Sequence, residues 1–163
     1  MGQLINGKWV KGSVSNNSKD GGFKRLNSIF RNYINEGHDT YLAESNRYHL
    51  YVSYACPWAH RTLIFRKLKN LEDYISVDFS HPDMLEMGWS FARDFPNATG
   101  DTLYDKKYAH EIYQLSDKKI STKATVPILW DKKSCSIVNN ESSEIIRIMN
   151  SAFNNLTKNY NDY

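Results

Sequence analysis

Residues 47–53, "RYHLYVS", alternate and favour aromatic and β-branched types, the pattern of a strand. They lead into "PWAHRTLIFRKLKN", an amphipathic run that predicts a helix. Pro57 suits its first helical position, where the missing N–H costs nothing, and the basic residues at its end complement the helix dipole. "DYISVDF" predicts a second strand. The stretch from His81 to about Asp105, with Pro82, Gly88, Pro96 and Gly100, predicts a long loop; loops of that length are functional or unusually well packed. "DKKYAHEIYQLSD" reads as a helix, "TVPILWD" and "SCSIVNN" as strands joined by the polar turn "KKS", and "ESSEIIRIMNSAF" as a closing helix. The predicted order is β-α-β-loop-α-β-β-α.

Residues 1 to 45 are rich in Gly, Asn, Ser and Lys, with scattered aromatics in "GKWV" and "FKRLNSIFRNYI". They read as an extended arm packed on something else. The division is therefore an arm over 1–45, a domain over 46–153 and, over the polar tail 154–163, the start of a linker. A βαβ unit followed by a helix, a β-hairpin and a last helix on the same sheet is the order of a thioredoxin-like α/β domain.

Composition narrows the function. With 163 residues, 40% hydrophobic and 13% aromatic, the chain has enough apolar material for a core. Its 21 basic and 18 acidic residues are scattered and leave a net charge of +3, so nucleic acid is not the expected partner. No apolar run is long enough to span a membrane, and "MGQLINGKWVKGS" lacks the apolar centre of a signal peptide, so a soluble cytoplasmic protein is expected. Two cysteines without Cys-x-x-Cys or His-x-x-x-His spacing make neither a disulfide framework nor a zinc cage, and no metal is expected.

Each thiol is then judged by its place. Cys56 precedes Pro57 at the junction of the first strand and first helix, where unpaired N–H groups and the positive end of the helix dipole stabilise a thiolate, the reactive form. The other reading is a small buried hydrophobe. Cys135 reads as a structural strand residue, and His60 as a packed or surface histidine without a catalytic role.

Two further features lie downstream. Pro127 opens a strand that belongs inside the sheet, where proline cannot donate to the ladder. A cis Val126-Pro127 bond would turn the Val126 N–H and C=O outward to pair with an extended peptide; a trans edge-strand proline is the alternative. "NNESSEI" starts a helix with Asn140, Glu141 and Ser142. That is either an ordinary cap or a carboxylate site, with Glu141 beside it to pair with an amine.

In order along the chain, "FKRLNSIFRNYI", "RYHLYVSYACPWAHRTLIFRKLK", "MGWSF", "TVPILWD" and "IVNNESSEIIRIMN" resemble the N-terminal half of the glutathionyl-hydroquinone reductases. These are the Xi class of glutathione transferases, related to the omega class through a Cys-Pro nucleophile. The resemblance runs from about Phe23 to Phe153. It implies that Cys56 is the nucleophile, that Val126 pairs with the glutathione backbone, and that Glu141 and Ser142 hold the γ-glutamyl end. It also implies that Trp89 stacks against glutathione; without it, Trp89 reads as an aromatic anchor of the long loop. Glutathione would be the co-substrate, and glutathionyl conjugates of aromatic hydroquinones the substrates.

The chain departs from the pattern at Lys123, where the family is expected to carry an arginine contacting glutathione; lysine keeps the charge and loses the bidentate fork. Members of the family also continue into an all-helical C-terminal domain that carries substrate tyrosines and much of a homodimer contact, and that domain is absent from these 163 residues. The first and last helices carry apolar residues around more than one narrow stripe, which predicts exposed apolar surface and either self-association or marginal stability in this chain alone. An omega-like thioltransferase or dehydroascorbate reductase is the alternative activity, and a non-catalytic interaction module the alternative class.

Overall fold

The computed structural model describes residues 2–12, 27–35 and 40–163. Parts of the arm, among them residues 23–26 at the start of "FKRLNSIFRNYI", lie outside the described residues. The arm opens with a β-hairpin of β1 (Gln3–Ile5) and β2 (Lys8–Val10). Its two-residue turn, Asn6-Gly7, has both residues at positive φ, the geometry that matches the twist of a tight hairpin. A Cβ on Gly7 would lie 1.8 Å from the Lys118 carbonyl oxygen, so glycine is required there.

The predicted order follows. β3 (Tyr48–Val52), α1 (Pro57–Leu68), β4 (Ile75–Phe79), α2 (Ala109–Ser116), β5 (Ile128–Asp131), β6 (Ser136–Asn139) and α3 (Ser142–Ser151) form the domain, and a single turn, α4 (Asn154–Thr157), follows. The sheet order is β4-β3-β5-β6, with β3 and β4 parallel and the β3–β5 and β5–β6 pairs antiparallel. This is the thioredoxin-like arrangement. Every residue of β3 and β5 is buried, as a central pair covered on both faces must be.

Charge is buried with its partner. Asp131 is fully buried and takes two hydrogen bonds from the Arg47 guanidinium, at 2.8 and 2.7 Å. The same carboxylate accepts from the Lys133 N–H and the Ser134 hydroxyl, which shapes the turn between β5 and β6. That turn is longer than the sequence suggests, and it corrects the reading of Cys135. Cys135 lies in the turn, exposed and at φ 51°, rather than in the strand.

The long loop is packed rather than free. Asp101 accepts from the Tyr51 hydroxyl and from the N–H groups of Leu103, Tyr104 and Lys106, and Asp78 accepts from Thr99 and Thr102. Burial works to raise the Asp78 carboxyl, but hydrogen bonds from His49 and Thr102 hold it below the usual carboxylate range. Trp89 and Phe91 from this loop are buried in the core. Gly88, at φ 80°, lets the ring of Trp9 approach to where a Cβ would sit 3.2 Å away. Trp9 in turn stacks on His110 of α2, so hairpin, loop and helix share one contact.

α1 buries only Ala59 and Thr62, leaving Ile64 and Leu68 exposed and Leu63 and Phe65 half-buried. With Tyr54 and Trp58 they leave an apolar outer face. No helix among the described residues is long and apolar enough to cross a membrane.

Candidate active site

Cys56 sits where β3 gives way to α1. Its N–H donates to the Ser53 carbonyl, closing a tight turn, and its own carbonyl accepts from Ala59 and His60 in the first turn of the helix. Cys56 is thus the N-cap residue, extended at φ −102° and ψ 112°, with Pro57 behind it and no acidic residue in the first turn. The side chain is 8% exposed, and its S–H donates to the Val126 carbonyl at 3.5 Å.

Val126 stands across from the cysteine because the Val126-Pro127 bond is cis, the geometry expected from the position of Pro127; β5 itself begins one residue later. The Val126 N–H has no partner among the described residues. The buried phenol of Tyr113 ties this segment to the next: it donates to the Thr125 carbonyl and accepts from the Thr125 N–H and the Asn140 side chain. Burial raises the Tyr113 phenol, so it remains a neutral donor.

Cys56 and Val126 line a cavity of about 490 Å³, with Trp89 and Met84 from the long loop and Lys123 before the cis bond. No carboxylate is among its described lining residues, and Lys123 gives it positive charge. An elongated anionic ligand with both polar and apolar surface suits such a space.

Glu141 and Ser142 do not line this cavity; they stand beside it at the start of α3, reached through Asn140 and Ser28, which do. Glu141 caps the helix through the Ser143 N–H and accepts from the Ser28 hydroxyl at 3.1 Å. The Ser142 hydroxyl accepts two hydrogen bonds from Arg61 of α1. His60 points away, into a shallow apolar groove with Tyr54, Leu63 and Ile64.

Residues 55–152 match the glutathione S-transferase N-terminal domain. The chain belongs to the glutathione S-transferase family. Among its relatives, the glutathionyl-hydroquinone reductase YqjG of Escherichia coli strain K12 is 51% identical over 170 residues, an alignment that covers 100% of this chain and 52% of that protein. The glutathione-bound structure of YqjG superposes with a TM-score of 0.85 at 47% identity, covering 99% of this chain and 49% of that one. A Xi-class transferase from Natrialba magadii superposes with a TM-score of 0.87 at 40% identity, covering 99% of this chain and 48% of that one. The transferase domain described here therefore spans about half the length of these relatives.

The sequence pointed to Cys56, Trp89, Lys123 and Val126, and the fold of this transferase domain gathers them around one cavity. Arg61 and Ser28 were missed. Arg61 lies four residues after Pro57, the spacing that returns a helical side chain to the same face, so its place near the cysteine was readable. What it reaches on α3 was not. Ser28 comes from the arm, whose course over the start of α3 no local pattern announces: Phe30 and Asn140 exchange hydrogen bonds, and Arg31 pairs with Glu144.

Proposed function

We propose that this domain is the glutathione-binding half of a glutathionyl-hydroquinone reductase, with Cys56 as nucleophile. The observation that supports this most is the placement of Cys56 at the start of α1, against Val126 and on the wall of a cavity shared with Trp89 and Lys123. The relatedness to YqjG supplies the substrate class.

In this reading the Cys56 thiolate attacks the sulfur of a glutathionyl-hydroquinone. A sulfur–sulfur bond forms, the carbon–sulfur bond to the ring breaks, and the ring carbon keeps the electron pair and takes a proton. The products are the hydroquinone and a Cys56–glutathione mixed disulfide. A second glutathione thiolate attacks that disulfide, releasing oxidised glutathione and restoring Cys56. The carbon is reduced, and two glutathione sulfurs are oxidised.

Each neighbouring residue has a part in this reading. The Val126 N–H and carbonyl pair with the glutathione backbone as an added strand would, and Trp89 covers its apolar surface. Lys123 attracts the carboxylates, and Ser142 with Glu141 takes the γ-glutamyl end. A lone thiol suits the route because no second cysteine lies beside Cys56 to divert the mixed disulfide; Cys135 is in the remote hairpin turn. The aromatic conjugate, the homodimer and a C-terminal helical half against the outer face of α1 belong to the same proposal.

The test is turnover of glutathionyl-menadiol, a hydroquinone conjugate, beside turnover of a small glutathione mixed disulfide, for this chain and for a form extended by a helical half. The expected result is reduction of both by the extended form, with the aromatic conjugate preferred. Activity on the small disulfide alone would favour the thioltransferase reading.

A further inference from the structure

Arg61 has no part in the chemistry derived so far, yet it is placed to control one end of the site. It projects from α1 one turn after Pro57 and donates from Nε and Nη2 to the Ser142 hydroxyl oxygen, at 3.0 and 2.6 Å. The Glu141 carboxylate lies 3.8 Å from the same guanidinium. Its carbon is 5.1 Å from the ring centroid of Trp58, which lines the cavity.

A hydroxyl has one proton and two lone pairs, and a guanidinium has donors only. With both N–H groups on its oxygen, the Ser142 hydroxyl cannot turn its proton toward Arg61. Ser142 is 2% exposed, and among the described residues nothing accepts that proton. The Ser142 N–H, the first of α3, likewise has no partner among them. A buried donor pair at the positive end of a ten-residue helix is thus left for an acceptor from outside. The adjoining cation polarises the O–H and strengthens it as a donor.

We infer that Arg61 is a positioning residue that locks the Ser142 hydroxyl as a donor toward the α-carboxylate of the γ-glutamyl end of glutathione. The inference rests on the glutathione reading above and adds a specificity determinant to it. The fork geometry matters, because two donors on one oxygen fix the rotor; a lysine ammonium would supply charge without that constraint.

The alternative is a tie between α1 and α3 with no bearing on ligand choice, and it is separable by experiment. Calorimetric titration would compare glutathione with γ-aminobutyryl-cysteinylglycine, which lacks only the α-carboxylate, with thermal melts to verify folding. The parent is expected to prefer glutathione. Arg61→Gln should reduce that preference about tenfold while leaving affinity for the analogue nearly unchanged. Ser142→Ala should reduce it similarly, and Arg61→Gln should add nothing in the Ser142→Ala background. Arg61→Lys, which keeps the charge and serves if Arg61→Gln does not fold, should lower the preference severalfold. If folded Arg61 variants keep the parent's preference, or lose affinity equally for both ligands, the inference is overturned and the glutathione reading stands. If the parent itself shows no preference for glutathione, both fall.

Discussion

Cys56→Ser is expected to lower glutathione-dependent turnover by at least about a thousandfold, on aromatic conjugates and on small mixed disulfides alike. Serine preserves the shape of the site, and among the described residues Cys56 makes one side-chain hydrogen bond, to the Val126 carbonyl, that a hydroxyl also makes. The fold should therefore be unchanged, and glutathione affinity should fall little. Loss of rate with affinity and melting temperature retained is the mark of a nucleophile. Cys135→Ser, in the exposed turn, should change none of these quantities. Steady-state rates, calorimetry and thermal melts on the two variants separate the cases.

Arg47→Ala should be the most damaging change to stability, at about 3–5 kcal/mol at neutral pH, because it leaves the fully buried Asp131 carboxylate without its counter-charge. That is a large part of the ~5–15 kcal/mol typical of a domain. Its pH dependence carries a second check. Burial works to raise the Asp131 carboxyl, but hydrogen bonds from Arg47 and Ser134 outweigh it and hold the group below the usual range. A carboxyl lowered in the folded state adds stability above its unfolded value, and that stability is lost as pH falls through the folded one. Glu144, held low by Arg31, and Asp78 contribute in the same direction. The parent should therefore lose stability as pH drops below about 4. In Arg47→Ala the remaining buried carboxyl is relieved by taking up a proton, so the deficit should narrow over the same acid range. Urea unfolding of both proteins across pH would show it; a deficit independent of pH would mean that Arg47 acts through packing.

Much of this arrangement was legible because its physics is local. Pro57 after an alternating apolar run announces both the strand and the helix start that place Cys56. Pro127 at the head of a buried strand demanded an unusual backbone, and the bond there is cis. The hairpin in the arm was also within reach, since Asn-Gly between "QLI" and "KWV" is a strong short-range hairpin signal, but the flanking strands have three residues each and alternate too briefly to stand out. Cys135 was misplaced because the predicted strand, "SCSIVNN", began at Ser134, two residues before β6 does. The Asp131 side chain, bonding to Lys133 and Ser134, extends the turn instead. Arg61 on Ser142 and Ser28 on Glu141 join residues 81 and 113 positions apart, and pattern along the chain does not report such pairs.

The central claim is that Cys56 itself carries the glutathionyl group. The direct measurement is intact-mass analysis and peptide mapping after this chain meets glutathionyl-menadiol, the hydroquinone form of the menadione conjugate, with no free glutathione present. The account predicts one glutathione bound by a disulfide to Cys56, released hydroquinone in equal amount, and loss of the adduct when glutathione is added. Hydroquinone released with Cys56 unmodified, or an adduct confined to Cys135, would contradict it.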